Sequence, residues 1–400
     1  MKNSLPAITA LIMMTSILSC TQQKHWVATW ATAEQIAEPH NCPPPPYLDG
    51  NSLRQIIQTS IPGEKVRLRF SNEFGTEPVE IKGAHIARAE TSGSSPDIDP
   101  KTERTLLFAG EKSVTILPGT YVTCDPLDFE VTERDDIAIT VHFGAVSASP
   151  LTSHPGSRTH SYIAAGETDD FSGAVSTPHW YIINDLEVLV PERYGAVVIL
   201  GDSITDGRGS TTDGQDRWTD ILSRRLLSDG KTSHLSVLNM GLGGNQLITG
   251  GLGPNGRVRY GRDLFGQAGV KYIVLFEGVN DIGCSDSAGP KVEEIISLYK
   301  TITEEAHQRG IKVIGCTVMP FRGNNYYSED HEAGRQALNR WIRTWEEFDG
   351  VIDHAASMAA ADDPERMDEA YLFENDWLHP NAAGHLKMGS SVDLSLFEEE

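Results

Sequence analysis

From about residue 50 to residue 190, apolar side chains recur at every second position in short runs. In "VRLRF", Val66, Leu68 and Phe70 fall on one face, and "SVTIL", "YVTC" and "DIAITVHF" keep the same period. Successive side chains of a strand point to opposite faces, so this alternation marks strands buried on one side only. Gly, Pro, Asp and Ser break the runs at short intervals. Together these signals predict an antiparallel, jelly-roll-like β-sandwich over residues 21–190. The stretch "PHNCPPPPYLDG", Pro39 to Gly50, fits neither a central strand nor a helix interior and reads as a rigid loop.

Beyond Pro191 the pattern changes. "YGAVVIL", "LSVLNM", "KYIVLFEG" and "IKVIGCTV" are continuous apolar runs, the signature of strands covered on both faces. Between them Trp218, Ile221, Leu222 and Leu226, and later Val292, Ile295, Ile296, Tyr299 and Ile302, recur at helical spacing. The expected architecture of residues 191–400 is therefore α/β, a parallel sheet with helices on both faces.

Composition narrows the function. The 400 residues are 39% hydrophobic and 22% charged, which suits a globular chain of two domains. A formal charge of -23, with no basic stripe, argues against nucleic acid as a partner. It would also repel a polyanionic glycan unless a local basic pocket exists.

At the N-terminus, Lys2 precedes the uncharged "LPAITALIMMTSIL" and then Ser19-Cys20. A charged start and an apolar middle too short to span a bilayer mark residues 1–20 as a signal peptide. "ILSC" resembles a bacterial lipobox, which implies lipid attachment at Cys20 and export to the cell envelope, with the membrane touched only through that anchor. Cys42, Cys124, Cys284 and Cys316 permit disulfides in an exported chain, though their spacing favours no pairing and Cys316, in an apolar run, reads as a buried thiol. No Cys/His pair has zinc-ligand spacing, so neither a metal nor a cofactor is expected.

In an open parallel sheet, ligands bind at the carboxyl ends of the strands. The first predicted strand delivers "GDSITDG" with Ser203, the second "NMGLGGN" and the third "GVND", so three polar clusters distant in sequence meet at one edge. "DWLH" near the end offers His379 as a base for Ser203 and Asp376 as the group that orients the imidazole. The glycines 243 and 244 would let backbone N–H groups approach a developing oxyanion, and the Asn280 amide could add a further donor.

"GDSITDG", "GLGGN", "GVND" and "DWLHPN", in this order, resemble the four blocks of the SGNH (GDSL) hydrolase superfamily across roughly residues 194 to 397. The resemblance implies a flavodoxin-like three-layer domain with Ser203, His379 and Asp376 as triad. It implies an oxyanion hole built from the Ser203 and Gly244 N–H groups and Asn280. "WVATWATA", "DRWTDIL", "FEGVNDIG" and "DLSLF" resemble an exported branch associated with polysaccharide breakdown.

The expected function is a serine esterase that removes small acyl groups, acetyl above all, from an acylated carbohydrate. A lipase or arylesterase, and a glycan-binding lipoprotein with an inactive hydrolase scaffold, are the alternatives. The glycines of "GLGGN" complete no nucleotide-binding motif. Asp206, Asp213, Asp216 and Asp220 read as solvated residues. Trp377 is a candidate platform for a sugar ring, whereas Trp218 is expected in the core.

Overall fold

The computed structural model describes residues 23–398. Its first half contains the strands β1 (Lys24–Ala31), β2 (Ser52–Gln58), β3 (Gly63–Ser71), β4 (Val79–Ala89), β5 (Ile98–Leu106), β6 (Asp136–Phe143), β7 (Ser161–Ala164) and β8 (Ile183–Pro191). One antiparallel sheet runs β1-β8-β3, with Tyr121–Thr123 and Leu127–Val131 both paired to β3. A seven-stranded sheet runs Val175–Thr177, β7, β2, β6, β4, β5, with Val114–Ile116 also on β4. On β3, Val66, Leu68 and Phe70 are fully buried while Arg67 and Arg69 between them are not, as the alternation requires.

The second half is built on β9 (Gly195–Gly201), β10 (Leu235–Gly241), β11 (Val270–Phe276), β12 (Lys312–Cys316) and β13 (Gly350–Ile352). All pair in parallel in the order β10-β9-β11-β12-β13, and β9 is buried along its whole length. Helices α1 (Ser203–Asp206), α2 (Trp218–Ser228), α3 (Val279–Gly283), α4 (Ala288–His307), α5 (Glu329–Thr344) and α6 (Ala382–Ser391) accompany the sheet. Helix α2 packs on β10 and α6, and α4 packs on α5 and β12. Their buried faces carry Trp218, Leu222 and Leu226, and Ile295, Tyr299 and Ile302, the positions expected from helical spacing.

One apolar core runs through both halves. The seam between them is also hydrogen-bonded. Ser236 Oγ on β10 donates to Ala28 O on β1 at 2.7 Å, Val237 N–H donates to Ser60 Oγ at 3.1 Å, and Thr32 bridges to Asn239 in parallel. Strand β1 thereby lies along the β10 edge of the parallel sheet and leads the following loop, through Gln35 and Asn41, over the ends of the parallel strands. Among the described residues the cysteines are all free, with Cys316 fully buried as expected. Cys20 lies outside the described residues.

Candidate active site

Ser203 opens α1 directly beyond β9. The Asp202 carboxylate caps the helix by accepting from Ile204 N–H at 2.9 Å. Gly241, at the end of β10, faces this turn so closely that a Cβ there would lie 2.2 Å from Asp206 N. Glycine therefore lets the β10 loop close against the Ser203 turn.

Ser203 Oγ lies 2.8 Å from His379 Nε2, and His379 Nδ1 lies 2.6 Å from Asp376 Oδ2. The other Asp376 oxygen accepts the N–H groups of Leu378 and His379 at 2.9 and 2.8 Å. Burial opposes a charge on Asp376, but these hydrogen bonds and the imidazole outweigh it and hold the carboxyl below its usual range. The turn that aims the pair is contorted, since Glu374, Asn375 and Trp377 all have positive φ. Phe373 N–H bonds His379 O, and Asn381 caps α6 immediately after it.

Three candidate donors line the cavity at Ser203. As the first residue of a helix, Ser203 has no intrahelical acceptor for its own N–H. Gly244, held at φ +65°, lines the same cavity, and its N–H makes no hydrogen bond among the described residues. The Asn280 amide donates to Asn245 O at 2.8 Å, and its oxygen accepts from the Tyr326 hydroxyl at 3.0 Å. An amide has two N–H donors, so one remains for the cavity. Tyr326 carries no motif that would have marked it in the sequence.

A buried ion cluster underlies these loops. Arg259, 1% exposed, donates to Gly201 O, Met240 O and the Asn245 side chain, and pairs with Asp263 and Glu277. One guanidinium thus joins the ends of β9 and β10, the glycine-rich loop and the Glu277 carboxylate that follows β11. Burial pushes Asp202 up to about 7, aided by the Asp281 charge, and raises Glu277 well above the carboxylate range, aided by Asp202. Nothing in the local sequence around Arg259 announces this role.

The cavity over Ser203, about 460 Å³, is completed by the β-rich half. Gln35, His40 and Asn41 come from the loop after β1, Arg158 from the loop before β7, and His179 from the segment before β8. Asp206 also lines it, and here the expectation of a solvated carboxylate is wrong: the residue is 3% exposed, 2.9 Å from His154 Nε2 and 3.2 Å from Arg158. Burial opposes its charge, yet Arg158 and His154 prevail and keep it ionised. Asp213 is likewise tied, to the His160 ring at 2.7 Å. The register of two distant loops buries these groups, which their own spacing could not show. Arg208 lines the cavity as well, exposed and 5.8 Å from the Phe373 ring centroid.

Trp377 is not among the residues lining this cavity. It packs on Gly323, with Arg366 over its ring at 5.8 Å, so the structure does not bring it to Ser203. Trp218 is fully buried in the core.

A hydroxyl, an imidazole and a carboxylate in hydrogen-bonded series, facing unengaged N–H donors, can carry out acyl transfer. Residues 199–387 match the GDSL-like Lipase/Acylhydrolase family, and this stretch is a GDSL/SGNH hydrolase domain of the kind that acts on esters. No curated protein matches the chain. Similar solved structures include the acetylxylan esterase Axe2 of Geobacillus stearothermophilus, with 17% identity over 52% of this chain and 95% of that one, TM-score 0.39. A GDSL-like lipase of Bacteroides thetaiotaomicron is 17% identical over 52% and 89%, TM-score 0.36. The acetyl xylan esterase AlAXEase is 20% identical over 49% and 96%, TM-score 0.35.

Proposed function

We propose that the protein is a serine esterase that removes small acyl groups, acetyl foremost, from carbohydrate. The observation that carries this reading is the series Ser203–His379–Asp376 opening into a cavity walled by polar side chains of the β-rich half. Ser203 Oγ attacks the ester carbonyl carbon while its proton passes to His379 Nε2. The oxyanion that forms is held by the Ser203 and Gly244 N–H groups and the free Asn280 N–H. Collapse breaks the bond to the sugar oxygen, which takes the proton from Nε2. Water, deprotonated by His379, then attacks the acyl-enzyme, and the acid leaves as Ser203 regains its proton. No cofactor enters this scheme.

The wall residues Gln35, Asn41, Arg158 and His179 offer donors and acceptors suited to sugar hydroxyls, and they favour a short acyl group over a lipid chain, which needs an apolar surface. Acetate release from a panel of acetylated glycans, with Ser203→Ala beside the wild type, tests the reading. Binding without release would make the protein a glycan binder, and preference for long-chain esters would make it a lipase.

The reading places the enzyme at the cell envelope on a lipid at Cys20. Cys20→Ser should release it from membranes washed in high salt, and retention equal to wild type would remove the anchor.

A further inference from the structure

On the solvent side of the seven-stranded sheet, far along the chain from Ser203, strand register assembles a second polar cluster. His85 on β4 lies opposite Thr140 of β6 and Thr105 of β5. His142, two residues beyond Thr140, and Glu103, two before Thr105, therefore share its face. The 165–170 segment crosses this face and brings Asp169. One ligand atom each from His85, His142 and Asp169 lies within 4.8 Å of the other two. His142 Nε2 is 3.3 Å from Asp169 Oδ1, and His85 Nδ1 is 3.9 Å from that oxygen and 3.5 Å from Glu103 Oε1.

Proton positions give the cluster its meaning. Ser52 Oγ donates its single proton to Gly166 O at 2.8 Å and accepts Thr168 N–H at 3.0 Å. It also lies 2.8 Å from His142 Nδ1, so that nitrogen must be the donor. In the neutral ring Nε2 then carries a lone pair and faces the Asp169 carboxylate, acceptor against acceptor. A cation between them, or a proton on Nε2, relieves the repulsion. His85 Nδ1 is likewise buried, with no hydrogen-bond partner among the described residues. The neighbouring Arg54 guanidinium is engaged by Thr140 Oγ1, Pro96 O and the Phe171 ring, and its charge is felt by Glu103 and Asp169.

We propose that His85, His142 and Asp169, with Glu103 alongside, bind a zinc(II) ion that fastens the 165–170 segment to the sheet. Tetrahedral zinc, with bonds of about 2.0–2.2 Å, sets its ligand atoms roughly 3.3–3.5 Å apart, which is the spacing of two of these contacts. The 3.9 Å contact from His85 closes by rotation of Asp169, whose side chain is 60% exposed and gives the ion its way in. The hydrogen bond from His142 to Ser52 is the outer contact by which a zinc-bound imidazole keeps its tautomer. Sequence spacing could not reveal such a site, because neighbouring strands assemble it.

The test is calorimetric titration of zinc chloride into chelator-stripped protein without a histidine tag, at pH 7.5. One equivalent should bind and raise the thermal midpoint. His142→Ala and His85→Gln should each weaken binding beyond the roughly 10- to 100-fold that loss of an outer partner costs, and Ser52→Ala should fall within that range. Hydrolysis of a small ester by the stripped wild type should be unchanged. If His142→Ala does not fold, His85→Gln decides, together with the visible bands of four-coordinate cobalt(II) in the wild type. Absence of zinc uptake by the wild type would overturn the site and leave a proton between His142 and Asp169. Unaltered uptake by the folded variants would overturn it too.

Discussion

Asn280 is an amide held by a hydrogen bond at its oxygen and another at its nitrogen. Tyr326 fixes its oxygen and Asn245 O takes one N–H, so the remaining N–H has a set direction. Asn280→Ala should lower kcat by about 10²–10³ with little change in KM, since the donor acts on charge present only in the transition state. Tyr326→Phe keeps the donor but frees its carrier, and should show a smaller loss in kcat. Steady-state kinetics on one acetyl ester checks both, and a normal kcat in Asn280→Ala would remove it from the oxyanion hole. Asp202 makes a prediction about pH. Its pKa in the folded chain is about 7, above the unfolded value of about 3.9. The stability it contributes is therefore fully present below about pH 4 and is lost as pH rises through 7. Asp202→Asn retains the acceptor for Ile204 N–H and carries no charge. Its urea midpoint should fall less between pH 5 and pH 8 than that of the wild type, and equal falls would exclude Asp202 as a source of the slope.

Among the elements, α6 has a double task. Its cap residue Asn381 accepts Gly384 N–H at 2.9 Å and donates to Ala370 O and Leu372 O at 3.1 Å each, which fixes the turn carrying His379. Loss of an N-cap alone costs about 1 kcal/mol. Asn381→Ala should exceed that in urea unfolding and should also lower kcat; a loss confined to stability would separate the cap from the catalytic turn. The strands and long helices were legible in the sequence because periodicity reports burial directly: β3 alternates and β9 does not. That Ser203, Gly244 and Asn280 line one cavity could be expected because a parallel sheet gathers its strand ends, and the series from Ser203 through His379 to Asp376 could be expected from the spacing of "DWLH". Arg259, Tyr326 and the His154–Asp206–Arg158 group were not legible. Each is a polar residue whose meaning depends on a partner supplied by another element, and no local pattern encodes that partner.

Across the whole molecule, the chemistry and the cavity wall come from different halves. A chain beginning at residue 191 would keep Ser203 and His379 but lose Gln35, Asn41 and Arg158, and it would expose the β10 edge now covered by β1. Uncovered edges pair with other chains. Such a fragment should elute as aggregate and release little acetate, and a soluble fragment of full activity would show the wall to be dispensable. The position of β1 also bears on the order of folding. It is the first of the described strands to be made, yet it pairs with β8 and is braced by β10, both synthesised much later. Until β8 exists, "HWVATWA" has no strand of its own to join. Closing such a distant pairing is slow and leaves an apolar segment open in the meantime. The first of the described strands to be synthesised is thus among the last to be secured, and a chaperone that acts on this chain has its longest task there.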